Sequence, residues 1–213
     1  MLKFSANLWY LFQEWGMLER FSIAAKVGFQ AVEFHFPYQW PANHLAQKLI
    51  EHNLEQVLIN APAGNWDAGE RGIAGLPGRK KEFQDTIGIG IEYALALGCP
   101  NLHVMAGLMG DKDIFIENIT YAADKCAKSN IKVLIEPLNS IDVPGYLIAN
   151  THDALTVLNI INHNNLLLQY DIYHGIINKE NIFKTIQDNL EILGHIQVAG
   201  VPGRHEPDCR SNF

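Results

Sequence analysis

KVLIEPLN (residues 132–139), LLLQYDIYH (166–174) and HIQVAG (195–200) decide the fold. Each is a short apolar run that ends in a polar residue: Glu136, Asp171 and Gln197. Such runs, continuous and not alternating, read as strands covered on both faces, as in a parallel sheet. Outward from them, comparable runs stand at 2–8, 31–36, 56–61 and 101–107. Helix-length amphipathic segments separate them at 14–27, 41–53, 78–97, 113–129, 151–161 and 180–193. Gly28 and Gly98 stand where helices end in a left-handed cap, and Asp111 and Thr151 where helices begin. Seven strands alternating with six helices, spaced by roughly 25 to 35 residues, make a βα repeat. No sequence motif recurs with that period, so it is not a solenoid. No glycine-rich phosphate loop follows the first strand, where Asn7-Leu8-Trp9-Tyr10 stands, which weakens a dinucleotide-binding reading. The expected fold is an α/β (β/α)8 TIM barrel lacking its last strand–helix unit, with its chemistry at the carboxyl ends of the strands.

The 213 residues are expected to form one domain over 1–208, followed by a divergent polar tail over 209–213. Hydrophobic residues make up 48% of the chain, ample for a core, and the 18% of charged residues argues against disorder. A formal net charge of -7 disfavours nucleic-acid and anionic-membrane surfaces. Three scattered cysteines, Cys99, Cys126 and Cys209, suit a reducing, cytoplasmic location better than a disulfide framework. The start MLKFSANLWYLFQEW reads as a strand and not a signal peptide, and no apolar run is long enough to span a bilayer.

Two carboxylates and an amide oxygen on one rim, Glu136, Asp171 and Gln197, would suit a hard divalent cation. Glu136, held extended by Pro137, is read either as metal ligand and proton-transfer group or as one half of a rim salt bridge. His174, three residues after Asp171, could ligate, donate a hydrogen bond to a substrate oxygen or shuttle protons. Gln197, between Ile196 and Val198, is expected to be buried by them and to need partners. Arg204 could clamp a substrate carboxylate or be a solvated loop arginine. The glycine-rich loop 62–77, PAGNWDAGERGIAGLP, reads as a lid or binding loop or as a mobile surface loop. Its Glu70 and Arg71 could close over an anion or pair with each other. His35 and His103 are read as core or rim histidines.

FSANL (4–8), AVEFHFPY (31–38), PAGNWDAGERGIAGLPGR (62–79), IEPLN (135–139), DVPGY (142–146), QYDIYH (169–174), GHIQVAG (194–200) and PGRHEP (202–207) together resemble the hydroxypyruvate isomerase family of xylose-isomerase-like barrels. The resemblance implies Mg2+ or Mn2+ held by Glu136, Asp171 and Gln197, and a fourth ligand, a glutamate on an eighth strand. It implies Glu136 as a catalytic proton-transfer group, and His174, Arg204 and Arg71 as substrate-binding residues. The implied reaction interconverts hydroxypyruvate and tartronate semialdehyde through an enediolate, and relatives of this kind isomerise 2-oxo-tetronate. The chain stops before the eighth strand, so a C-terminally truncated barrel with impaired activity is expected; substitution of the missing ligand by Glu206 or Asp208 is the disfavoured alternative. A ketose epimerase, a barrel endonuclease and an inactive fragment that associates with an intact copy are the alternatives. The expected partners are a small sugar acid and, through open sheet edges, further copies in a homo-oligomer, with no nucleic acid and no membrane.

Overall fold

The computed structural model describes residues 3–207. The expected tail with Cys209, and Asp208, lie outside the described residues. Seven parallel strands follow chain order in one curled sheet: β1 (Ser5–Asn7), β2 (Ala31–Glu33), β3 (Glu55–Asn60), β4 (Asn101–His103), β5 (Lys132–Ile135), β6 (Leu166–Asp171) and β7 (Leu193–Gln197). Helices α1 (Met17–Lys26), α2 (Ala42–His52), α3 (Lys80–Leu97), α4 (Lys112–Ala127), α5 (Thr151–Ile161), α6 (Ile172–Ile177) and α7 (Ile182–Asp188) connect them. Helix faces carrying Phe21, Phe83, Ile87, Phe115 and Ile119 close over the sheet and bury one continuous core with it. This is the βα barrel architecture expected from the seven runs.

Most strands are shorter than the apolar runs, β3 being the exception at equal length. β2 ends at Glu33 and β4 at His103, while Phe34, Val104, Met105 and Ala106 beyond them stay buried. These residues leave the ladder and pack as rim loops, so apolar character there records burial and not strand pairing. The loop over 62–77 explains why the rim is buried. Gly72 bridges Ala106, Gly75 N donates to Ala106 O at 2.7 Å, and Asn118 Nδ2 donates to Ala74 O at 2.7 Å. Ile73 and Ala74 are buried. Gly72 has φ +103°, and a Cβ there would sit 2.3 Å from Met105 O, so only glycine lets the loop lie this close. The 72–75 stretch of the loop is therefore part of the core, while Gly64, Asn65 and 67–69 lie exposed at the surface.

Helix boundaries follow local hydrogen bonding. Asp111 caps α4, accepting from Asp113 N and Ile114 N. Asn150, not Thr151, caps α5, its side chain accepting from Asp153 N. Gly98 closes α3 in the left-handed region, whereas Gly28 lies one residue past the α1 cap. The segment expected as one helix over 180–193 is only α7, because a turn at Asn189 redirects the chain into β7.

Candidate active site

The rim site is set by strand register. Asp171 on β6 stands beside Gln197 on β7, and Gln169 beside His195. Alternation sends these four side chains inward and Ile196 and Val198 outward, where they are 40% and 48% exposed. Gln197 is thus half-buried by its strand direction and not by those two neighbours, which corrects the sequence expectation.

Glu136 follows β5 and is 6% exposed, and Asp171 ends β6 at 2%. Ligand atoms of Glu136, Asp171 and His174 lie within 4.8 Å of one another. Burial, and then the Asp171 charge, push the Glu136 carboxyl up to about 8. Its Oε2 lies 3.6 Å from Nε2 of His103, a buried nitrogen with no hydrogen-bond partner among the described residues. Asp171 Oδ1 accepts from Tyr173 N at 2.9 Å, which starts α6, and Oδ2 accepts from Arg204 Nη2 at 2.6 Å. Arg204 is thus an ion-pair partner and not a solvated loop arginine. Burial alone would lower its pKa, but Asp171, with Tyr10 and Glu136, raises it. Its guanidinium also lies over the rings of Tyr10 (5.2 Å) and Tyr173 (5.0 Å).

Gln197 Oε1 accepts from Gln169 Nε2 at 3.0 Å, and its Nε2 donates to Glu33 Oε1 at 2.6 Å. Glu33 is the charged residue of this rim cluster that sequence reasoning missed. Its carboxylate also accepts from Asn7 Nδ2 (3.0 Å), Ser5 Oγ (2.9 Å) and His195 Nε2 (2.6 Å). Burial alone would raise its pKa, but the bonds from His195, Gln197 and Ser5 hold it below the usual carboxylate value. These bonds tie β1, β2 and β7 together across the barrel interior. An acid closing the apolar start of AVEFHF was the available signal, the same one that singled out Glu136.

Arg71 stays within its loop. Its guanidinium lies 3.8 Å from the Trp66 ring centroid and donates to Trp66 O and Glu70 O. Glu70 pairs with Arg79, not with Arg71. Ring contacts run from Trp66 to Phe36 (5.0 Å), Trp9 (5.7 Å), His35 (5.2 Å) and Tyr10 (5.4 Å), so an aromatic wall joins Arg71 to Arg204 along the rim. His35 and His103 are pushed down by burial, to about 4 and about 3, and are neutral residues of the wall and core. Glu206 is exposed.

The donor set fits a hard divalent cation. Two buried carboxylates lie close together, burial and then the Asp171 charge drive Glu136 toward its neutral form, and the buried Gln169 Oε1 has no hydrogen-bond partner among the described residues.

A family model described as the xylose isomerase-like TIM barrel matches residues 21–210, and the chain belongs to that family. It is 43% identical over 215 residues to a 2-oxo-tetronate isomerase of Cupriavidus necator, covering 98% of this chain and 83% of that protein. It is 42% identical over 214 residues to the hydroxypyruvate isomerase of Escherichia coli, covering 97% and 83%. The solved structure of a Brucella melitensis protein described as an AP endonuclease, family 2, superposes with a TM-score of 0.95 at 45% identity, over 98% of this chain and 83% of that one. Within the family the chain stands among the isomerases. Among the described residues, no helix is long and apolar enough to cross a membrane.

Proposed function

We propose that the chain is a metal-dependent isomerase of small sugar acids, acting on hydroxypyruvate through an enediolate, with 2-oxo-tetronate as the second substrate to consider. The observation that carries this reading is the pairing of Glu136 and Asp171 at the ends of β5 and β6, with Gln197 in register beside Asp171. The names of the relatives at 42% and 43% identity supply the substrate class.

Glu136, Asp171 and Gln197 would hold Mg2+ or Mn2+, which when bound would offset the negative charge developing on adjacent substrate oxygens. Gln197 would present Oε1, since its Nε2 is committed to Glu33. Moving the carbonyl by one carbon requires a C–H proton taken from the hydroxyl-bearing carbon and returned to the former carbonyl carbon. Glu136 is the group in the buried centre suited to that transfer. Arg204 would bind the substrate's acid group, leaving Asp171 to the cation. The aromatic wall from Trp66 to Tyr10 would exclude water from the intermediate, and Arg71 would close the rim at its far end. A net charge of -7 and the small oxygen-rich centre disfavour a nuclease role.

The test is product formation from hydroxypyruvate and from 2-oxo-tetronate with Mn2+, Mg2+ or EDTA. Conversion that EDTA abolishes is expected. Failure to convert either compound with either metal would overturn the reading.

A further inference from the structure

We propose that Asn139 is a positioning residue that fixes the His174 ring in the tautomer protonated on Nε2, making that imidazole a hydrogen-bond donor to substrate and not a metal ligand. The substrate half of the statement rests on the function proposed above, whereas the tautomer half stands on geometry alone.

Asn139 is fully buried, four residues past the end of β5. Its Oδ1 accepts from Ile141 N (3.1 Å) and Asp142 N (2.8 Å). That turn fixes which end of the amide is oxygen, so the other end is the NH2 group. Nδ2 lies 2.9 Å from Asp142 Oδ2 and 2.7 Å from His174 Nδ1. The backbone N of Asn139 also donates to His174 Nδ1, at 3.2 Å. Two N–H donors thus converge on one ring nitrogen, and neither can accept. Nδ1 must present its lone pair, and a neutral imidazole then carries its proton on Nε2.

Nε2 lies 3.8 Å from Asp171 Oδ2, beside the centre formed by Glu136 and Asp171. A ligating nitrogen must be bare. Ligation through Nε2 would move the proton to Nδ1 and leave two buried donors facing a third, a loss of two hydrogen bonds. Proximity therefore groups His174 with Glu136 and Asp171, while hydrogen bonding removes it from the ligand set.

The experiment is a long-range 1H–15N correlation on protein labelled at histidine nitrogens, with the His174 signals identified by their loss in H174Q. The proposal expects a protonated Nε2 and a bare Nδ1 in the unaltered protein. N139D, which turns the side-chain donor into an acceptor while the backbone N–H of residue 139 remains, should shift the ring toward the Nδ1-protonated tautomer and lower kcat/KM by about tenfold or more. H174Q should keep the rise in melting midpoint produced by Mn2+. A wild-type ring protonated on Nδ1 alone, or loss of the Mn2+ response in H174Q, overturns the proposal. Should a variant fail to fold, a neutron map of the unaltered protein locates the proton directly. A protonated Nε2 without any turnover refutes the proposed function and leaves the tautomer standing; turnover with a bare Nε2 does the reverse.

Discussion

Replacing Glu136 with glutamine should stabilise the metal-free protein while abolishing its activity. Glu136 is 6% exposed, and burial beside Asp171 pushes its carboxyl up to about 8, against 4.5 for an ordinary glutamate. A group that holds its proton more tightly when folded contributes stability that is fully present below about pH 4.5. That contribution is lost as pH rises through about 8. At about 1.4 kcal/mol per pH unit, the interval sets a ceiling of about 5 kcal/mol. Glutamine cannot ionise and escapes the loss. In EDTA, the advantage of E136Q over the unaltered protein should be near zero at pH 4.5 and grow to roughly 3–5 kcal/mol by pH 8.5. Urea denaturation at a series of pH values measures it. Mn2+ should then reverse the order by stabilising the unaltered protein much more than E136Q. The reasoning is refuted if E136Q is the less stable protein at pH 8.5 in EDTA, or if the difference does not change with pH.

Other outcomes follow from the same structure. His35, His103 and His174 are held neutral by burial, at about 4, 3 and 4, so folding should lose several kcal/mol as pH falls from 6.5 toward 4; denaturation in the E136Q background isolates this from the opposing carboxylate. Arg204→Gln leaves Asp171 buried without its cation and should cost about 3–5 kcal/mol in EDTA, with much of that restored by Mn2+ in a thermal melt. Phe115→Ala, at a fully buried position of α4, should cost about 3–5 kcal/mol by urea denaturation without altering the Mn2+ response. Asp111→Ala removes the α4 cap and should cost about 1 kcal/mol in the same assay.

The barrel was legible because βα alternation imposes a period that short apolar runs reveal. Glu136 and Asp171 were legible because a carboxylate that closes such a run is costly unless it is used. Other features were not legible, because they depend on register or on loop packing. The outward direction of Ile196 and Val198 follows from the pairing of β7 with β6, which no single run encodes. The apolar run through Ile172 reads as a strand, yet the chain turns into α6 because Asp171 accepts from Tyr173 N. Loop 62–77 looks mobile by composition, yet its 72–75 stretch is buried, since glycines that suit a flexible loop equally suit close packing. Asn139 reads as an ordinary turn residue, and its bond to His174 spans 35 positions. Glu33 carried a visible signal, but its four donors come from two other strands.

The central claim, proton transfer at Glu136 through an enediolate, is tested most directly by NMR in D2O with Mn2+ and hydroxypyruvate. The account predicts conversion to tartronate semialdehyde with solvent deuterium entering at the carbon beside the acid group, and none with E136Q. Isomerisation that survives E136Q at full rate, or no exchange and no product from the unaltered protein, would contradict it.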